Sequence, residues 1–418
     1  MKNNMTKALG LGVLAGFAAM SAEAGESSSL LKKLVEKGVI TEGEAAVLAE
    51  EANNEWNDAA ALPSWVNSMT LKGDLRLRYE QKQNGDAHAE TSGRPARHRF
   101  RYRFRFGGTA DIGNGWKAGF RLASGGTQPG STNTTMGDGD GHQINGDIYI
   151  DQAYASWSGS GFTVYGGKMP SQDKTGFKFS KAILDGDITP EGLQVHYNDI
   201  EFGSTTVGIN TGVWIQDENS GDSNDEYLYL YQIASSTSLS DTMKLDLAWG
   251  GYTSQGGQFD DTIHSDNAGN DSGENFSISS LDAALSIKQG PGVKLYGSLI
   301  ENHAADTAAD GLLYGVKFGS AKKAGQWEAS IEYRELEANS VYDDYSDSDF
   351  GAYGTGSNAG QYYNGTDVEG IVLKSKYNLY DNVQLGFTWY RTENNDADGS
   401  IENPNENDRF QFDAVFKF

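Results

Sequence analysis

The chain has 418 residues, with 58 acidic against 33 basic side chains and a formal charge of −25. Only 37% of its residues are hydrophobic, which argues against a large dry core, and no segment beyond the N-terminus approaches the about 18 apolar residues of a membrane helix. The absence of cysteine excludes disulfides, c-type haem attachment and cysteine-ligated zinc, and the acidic balance argues against nucleic-acid binding.

The N-terminus has the three regions of a secretory signal in order. Lys2 and Lys7 supply positive charge, Ala8 to Met20 is apolar, and Ala22-Glu23-Ala24 is an A-x-A cleavage site. Residues 1–24 are therefore expected to be a signal peptide. Residues 25–66 read as a short α-helical segment on the periplasmic side. Leu30, Leu31, Leu34 and Val35 keep helical spacing, Gly38 ends it, and Thr41 with Glu44 forms a capping-box signature. A spacer or an oligomerising helix is the plain reading of this segment; a plug or a cell-wall contact is the alternative.

From residue 67 the period becomes two. In the first strand Leu71, Gly73, Leu75, Leu77 and Tyr79 alternate with Lys72, Asp74, Arg76, Arg78 and Glu80. The next is sharper: Arg97, Arg99, Arg101, Arg103 and Arg105 alternate with His98, Phe100, Tyr102, Phe104 and Phe106. Only a β-strand puts one set on each face. An Arg facing the bilayer midplane costs roughly 2–4 kcal/mol, so five would cost about 10–20 kcal/mol. The aromatic face therefore meets lipid and the arginines meet water in a lumen. The fold expected is all-β, a transmembrane antiparallel barrel of about 16 strands over residues 67–418.

Strands are expected near 69–80, 97–111, 115–125, 146–157, 161–169, 191–199, 203–216, 226–237, 242–254, 275–288, 292–302, 310–319, 326–337, 367–378, 382–393 and 407–418. Their connections alternate in length. Gly113-Asn114-Gly115, Ser158-Gly159-Ser160-Gly161 and Gln289-Gly290-Pro291-Gly292 are tight turns, whereas 255–274 and 338–365 are long and acidic. Short periplasmic turns and long external loops mark a membrane barrel. Trp116, Trp157, Tyr380 and Trp389, near strand ends, read as interfacial belt residues.

The last strand alternates Phe410, Phe412, Ala414, Phe416 and Phe418 with Gln411, Asp413, Val415 and Lys417. A final aromatic strand ending in Phe418 resembles the assembly signal of Gram-negative outer-membrane barrels. The segment 71–79, the Arg-aromatic strand, Gly167-Lys168-Met169-Pro170, 185–192 and the leading 31–41 together resemble the putative porin family of those membranes. The architecture is similar to that of sixteen-stranded trimeric general porins. The resemblance implies a homotrimer in outer-membrane lipid and lipopolysaccharide, delivered by the barrel-assembly machinery, that passes small hydrophilic solutes. It also implies that the loop between strands five and six, 170–190, folds inward. This loop carries Asp173, Lys174, Lys178, Lys181, Asp185 and Asp187 as candidate constriction residues.

The expected pore wall is basic, formed by Arg76, Arg78, Arg97, Arg99, Arg101, Arg103, Arg105 and Arg121. Same-face neighbours stand about 6.8 Å apart. Unit charges there repel by about 0.6 kcal/mol in water and about 2.4 kcal/mol at an effective dielectric of 20. Facing carboxylates would relieve the row: Asp74 and Glu80 on the neighbouring strand, Asp185 and Asp187 across the lumen. The function expected is passive diffusion, with an anion-preferring or solute-specific channel as the nearer alternative. The arginines have a structural alternative too, stiffening the wall by pairing with carboxylates. The acidic groups Asp138 and Asp140, Asp260 and Asp261, and Asp343, Asp344, Asp347 and Asp349 read as a solvated surface, or else as Ca²⁺ or Mg²⁺ collectors near lipid headgroups. No resident metal or cofactor is expected. His88, His98, His142, His196, His264 and His303 are scattered, and no H-E-x-x-H or phosphate loop occurs. No enzyme is expected, and a non-conducting adhesin or an outer-membrane lipid hydrolase is the reading from another class.

Overall fold

The structure is a computed structural model. It describes residues 66–418 except 84–95, 127–130, 139–145, 219, 222–224, 256–275, 354–361 and 396–405, together with 34, 35, 37, 41 and 43–45. The expected signal peptide, most of the 25–66 segment, His88, Asp140, His142, Asp260, Asp261 and His264 lie outside the described residues. Two compact units separate at Asn67. In the first, the Thr41 hydroxyl accepts from the Glu44 backbone N–H at 3.2 Å, and the Glu44 carboxylate accepts from the Thr41 N–H at 2.8 Å. This is the reciprocal geometry of a capping box.

The second unit is a closed antiparallel barrel. In chain order its long strands are β1 Ser68–Gln83, β2 Ala96–Gly113, β3 Trp116–Ser124, β4 Ile148–Gly159, β5 Phe162–Lys168, β6 Glu191–Phe202, β7 Thr205–Asp217 and β8 Glu226–Ser238. There follow β9 Met243–Gln255, β10 Ser277–Ile287, β11 Val293–Asn302, β12 Asp310–Gly319, β13 Trp327–Leu336, β14 Val368–Tyr380, β15 Val383–Asn394 and β16 Asn407–Lys417. All sixteen expected strands are present. Each pairs with its neighbour in sequence, and β16 pairs with β1 to shut the ring. A two-residue strand, Thr134–Thr135, adds to the edge of β2.

Every one of these strands exposes a large apolar side chain on its outer face. Leu77, Phe100, Phe120, Ile150, Phe162, Leu193, Ile209 and Ile233 cover half the circumference, and Trp249, Leu281, Leu299, Tyr314, Ile331, Ile371, Leu385 and Phe412 the other half. In water such a band would be a large exposed apolar surface; in hydrocarbon it is the lipid-facing belt. At the β2–β3 turn Gly113, Asn114 and Gly115 all take positive φ (87°, 52° and 83°), which is why glycine and asparagine stand there.

The interior departs from a wholly wet lumen. The third long loop, residues 169–190 between β5 and β6, lies against the inner wall. Its Phe177, Ala182, Ile183, Leu184 and Ile188 are buried with inner-face residues Trp214, Leu230, Tyr252, Ile278, Ile300, Leu313 and Leu336. The chain thus has a dry core, but inside the barrel and on one side of it. The polar average conceals this because the apolar positions come from separate strands.

The seventh long loop, residues 337–367 between β13 and β14, corrects the reading of 338–365 as a solvated surface. Val341, Asp343, Phe350 and Ala352 are fully buried. The Tyr342 N–H donates to the Tyr252 hydroxyl on β9 at 2.9 Å, and the Thr392 hydroxyl on β15 donates to the Gly351 carbonyl at 2.7 Å. The two loops also join, the Asp185 N–H donating to the Tyr345 carbonyl at 2.6 Å. Apolar residues interleaved with the aspartates turn this loop inward.

Candidate functional site

The arginine wall begins with register. Antiparallel pairing sets Arg76 opposite Arg103 and Arg78 opposite Arg101, with Asp74 opposite Arg105 and Glu80 opposite Arg99. Like charges directly opposite destabilise a sheet. The arrangement stands because carboxylates reach it from three directions.

The first is the same pair of strands. Arg103 and Arg105 each donate to Asp74 at 2.8 Å, and Arg99 Nε donates to Glu80 at 2.6 Å, while Arg101 lies 3.8 Å from Glu80. The second is the closing strand β16. Arg78 makes a bidentate pair with Asp413, at 2.7 and 2.8 Å. The third is the inward loops. Asp187 lies 3.4 Å from Arg105 and 3.8 Å from Arg103. Asp349 accepts from Arg409 at 2.6 Å, Gln411 at 2.9 Å and Arg78 at 3.3 Å. Burial opposes ionisation of Asp349, but Arg409 and Arg78 outweigh it and hold the carboxyl well below its usual range. The same contest, won by Arg103 and Arg105, keeps Asp187 low.

The remaining arginines divide. Arg76 donates to Asn133 at 2.6 Å, and Arg121 pairs with Asp151 on β4. Arg97 is exposed at the start of β2. Buried Arg76 Nε and Arg101 Nε have no hydrogen-bond acceptor among the described residues.

The six expected residues of loop 169–190 do not act as one set. Asp187 reaches the arginine wall. Asp185 does not pair with arginine; burial, then Asp347 and Asp187 beside it, push its carboxyl up to about 7. Asp173 and Lys174 pair with each other at 2.5 Å, both exposed. Lys178 and Lys181 line two other cavities against the wall.

Sequence reasoning missed Asp151, Asn133 and Arg334, and read Asp347 and Asp349 as a solvated surface or cation collectors where they instead meet buried arginines. Arg334 on β13 is buried between Glu332 at 2.5 Å and Asp347 at 3.2 Å. The signal for the aspartates was their spacing within 341–352 among buried apolar residues. The basic wall and both loops enclose a polar cavity of about 360 Å³, lined by Arg76, Arg97, Arg99 and Arg101 and by Asp185, Asp187, Asp347 and Asp349. His196 is a wall residue, hydrogen-bonded to Asn210 at 2.9 Å and stacked edge-on to Phe177.

The sequence matches the putative porin family over residues 29–95, 91–278 and 282–418. The chain belongs to this porin family. Among solved structures, OprB of Pseudomonas putida is similar in fold, with a TM-score of 0.53 at 9% identity over 88% of this chain and 96% of that one. Mutants of the Rh. blastica porin align over 84% of this chain and all of theirs, with a TM-score of 0.44 and 13% identity for one of them. OmpT of Vibrio cholerae aligns over 85% of this chain and 99% of its own, with a TM-score of 0.46 and 12% identity. No curated protein matches the sequence. Family and barrel together make the chain an outer-membrane porin, a channel protein.

Proposed function

We propose that this porin is a passive diffusion channel for small hydrophilic solutes and ions, narrowed where loops 169–190 and 337–367 meet the arginine wall. One observation carries the reading: arginines of β1 and β2 line one polar cavity together with Asp185, Asp187, Asp347 and Asp349 of the two loops, and Asp187 and Asp349 reach that wall directly. Cations on one side and carboxylates on the other set a transverse field across the narrowest water. Such a field orients dipolar solutes and gives cations and anions separate paths. The arginines act both ways: those bonded to Asp74, Asp413 and Asp349 stiffen the wall, and Arg76, without an ion pair among the described residues, and Arg101, 3.8 Å from Glu80, add positive charge that favours anions. The 25–66 segment serves as a periplasmic spacer after cleavage at Ala24, and the assembled form is a homotrimer.

Conductance of the refolded protein in a planar bilayer, with the reversal potential across a KCl gradient, tests this. Discrete steps with saturable ion preference are expected. A silent bilayer together with surface binding or lipid hydrolysis would replace the channel with an adhesin or a hydrolase. An oligomer resistant to detergent at room temperature tests the trimer.

A further inference from the structure

A second cationic sector lies on the other side of the lumen. Strand register sets Lys244, Ser286, Lys294, Lys317, Ser330 and Lys374 in one unbroken row of facing residues across β9 to β14. Lys294 and Lys317 face each other directly. Two ammonium groups so placed weaken the sheet, and only Lys317 of the two has an ion pair to offset it.

Of this row Lys294, Lys317, Ser330 and Lys374 line a cavity of about 320 Å³ between loop 169–190 and the wall, which also receives Lys181 from the loop and Lys376 from β14. Only two carboxylates line it, and both are engaged. Glu328 holds Lys317 at 2.8 Å and Lys376 at 3.2 Å; Glu332 holds Arg334 at 2.5 Å. Lys181, Lys294 and Lys374 have no ion pair among the described residues. Two of them rest near aromatic rings, Lys294 Nζ 5.9 Å from the centre of Tyr296 and Lys374 Nζ 5.6 Å from that of Tyr390. A ring face steadies an ammonium without using up its N–H donors. The Ser180 residue also lines the cavity, and its hydroxyl is buried without a hydrogen-bond partner. Buried hydroxyls are paired as a rule, so this one marks an open place for an acceptor.

We infer that this cavity is a subsite for a compact anion with two or more negative charges, a di- or tricarboxylate or a phosphate. Three ammoniums without an ion pair and a hydroxyl donor line a space of small-ligand size, and, of the carboxylates that act on them, Asp246, Asp347, Asp185 and Asp187 lie outside it. Lysine binds as a point charge with rotatable donors, so it selects by charge rather than by the planar shape that arginine forks demand. A monovalent anion would satisfy one ammonium and leave two unmatched; an uncharged sugar would leave all three. The site is separate from the arginine wall, and depends on the channel reading only for how the anion arrives.

Calorimetric titration of the refolded full chain in detergent at low salt, with citrate, inorganic phosphate and acetate in turn, tests the site. Citrate or phosphate should bind about tenfold or more tighter than acetate, the margin one extra Coulombic contact of about 1.4 kcal/mol provides. Whichever of the two binds tighter identifies the chemistry. Lys294→Gln with Lys374→Gln should remove that margin. The single variants serve if the pair does not reach the heat-modifiable barrel form. Equal binding of acetate, or unchanged binding by folded variants, overturns the subsite. A protein that binds citrate but passes no current in a bilayer ends the channel reading and keeps the subsite; current without binding does the reverse.

Discussion

Phe418 and Gly73 close the barrel through reciprocal backbone hydrogen bonds, Phe418 N–H to the Gly73 carbonyl at 3.0 Å and Gly73 N–H to the Phe418 carbonyl at 2.7 Å. The Phe418 ring lies over the bare α-carbon of Gly73, where an added Cβ would come within 2.2 Å of a ring carbon. A side chain at 73 would push the ring off both Gly73 and Phe104, whose ring it faces at 6.3 Å. Gly73→Val and deletion of Phe418 should each lower the yield of heat-modifiable barrel. The lost aromatic contact is about 0.5–1.5 kcal/mol. Electrophoresis of unheated samples reads this, and equal yields for both variants would remove the seam from the assembly signal.

Ile183 and Leu184 hold loop 169–190 against the wall and are fully buried. Leu184→Ala should weaken docking by about 2–5 kcal/mol, the usual cost of such a truncation in a packed core. The expected readout is a larger, noisier single-channel current with little change in barrel melting. A current identical to that of the parent would mean that the loop does not set the narrowest section.

Asp187 on loop 169–190 lies 3.4 Å from Arg105 and 3.8 Å from Arg103, beside their bonds to Asp74. Asp187→Asn should raise chloride over potassium permeability about fivefold, since unit charges about 4 Å apart interact by about 1 kcal/mol in water. The reversal potential in a KCl gradient should move toward the chloride limit. Movement toward the potassium limit would contradict the transverse-field reading.

Asp185 supplies a pH dependence. Its carboxyl is ionised above about 7 and neutral below. Lowering the pH from 8 to 6 therefore removes one negative charge beside the arginine wall, and anion permeability should rise. Asp185→Asn should abolish the change over that interval. Stability follows the same proton. The ordinary carboxyl value is about 4, so between there and 7 the folded form binds the extra proton. This group's contribution thus weakens as pH rises through that window. A melting profile in which Asp185→Asn loses pH dependence near 7 would match; an unchanged profile would place the charge elsewhere.

Much of the fold was legible because lipid enforces a period of two. Leu77 against Arg78 and Phe100 against Arg101 could be sorted to their faces from cost alone. The strand count followed from turns whose glycine and asparagine take positive φ. Cross-strand neighbours were legible too, and Asp74 and Glu80 do meet the arginines. Contacts across the lumen were not. Nothing local announces that Asp349 will meet Arg78, 271 positions away in sequence. Charge alone makes the aspartate-rich 341–349 stretch read as solvated, whereas the neighbouring Val341, Phe350 and Ala352 are what turn it inward. The inner apolar patch was hidden for a related reason: Trp214, Tyr252 and Ile300 each interrupt an otherwise polar inner face, and only the closed ring assembles them.

Asp349 binds Arg78 on β1 and both Arg409 and Gln411 on β16, the two strands that meet only when the barrel shuts. Its three partners do not exist as a set in an open sheet. Loop 337–367 therefore finds its complete socket only in a finished cylinder, and its insertion is a record that closure has occurred. Through Asp349 the loop works as a latch across the seam, tying the first strand to the last.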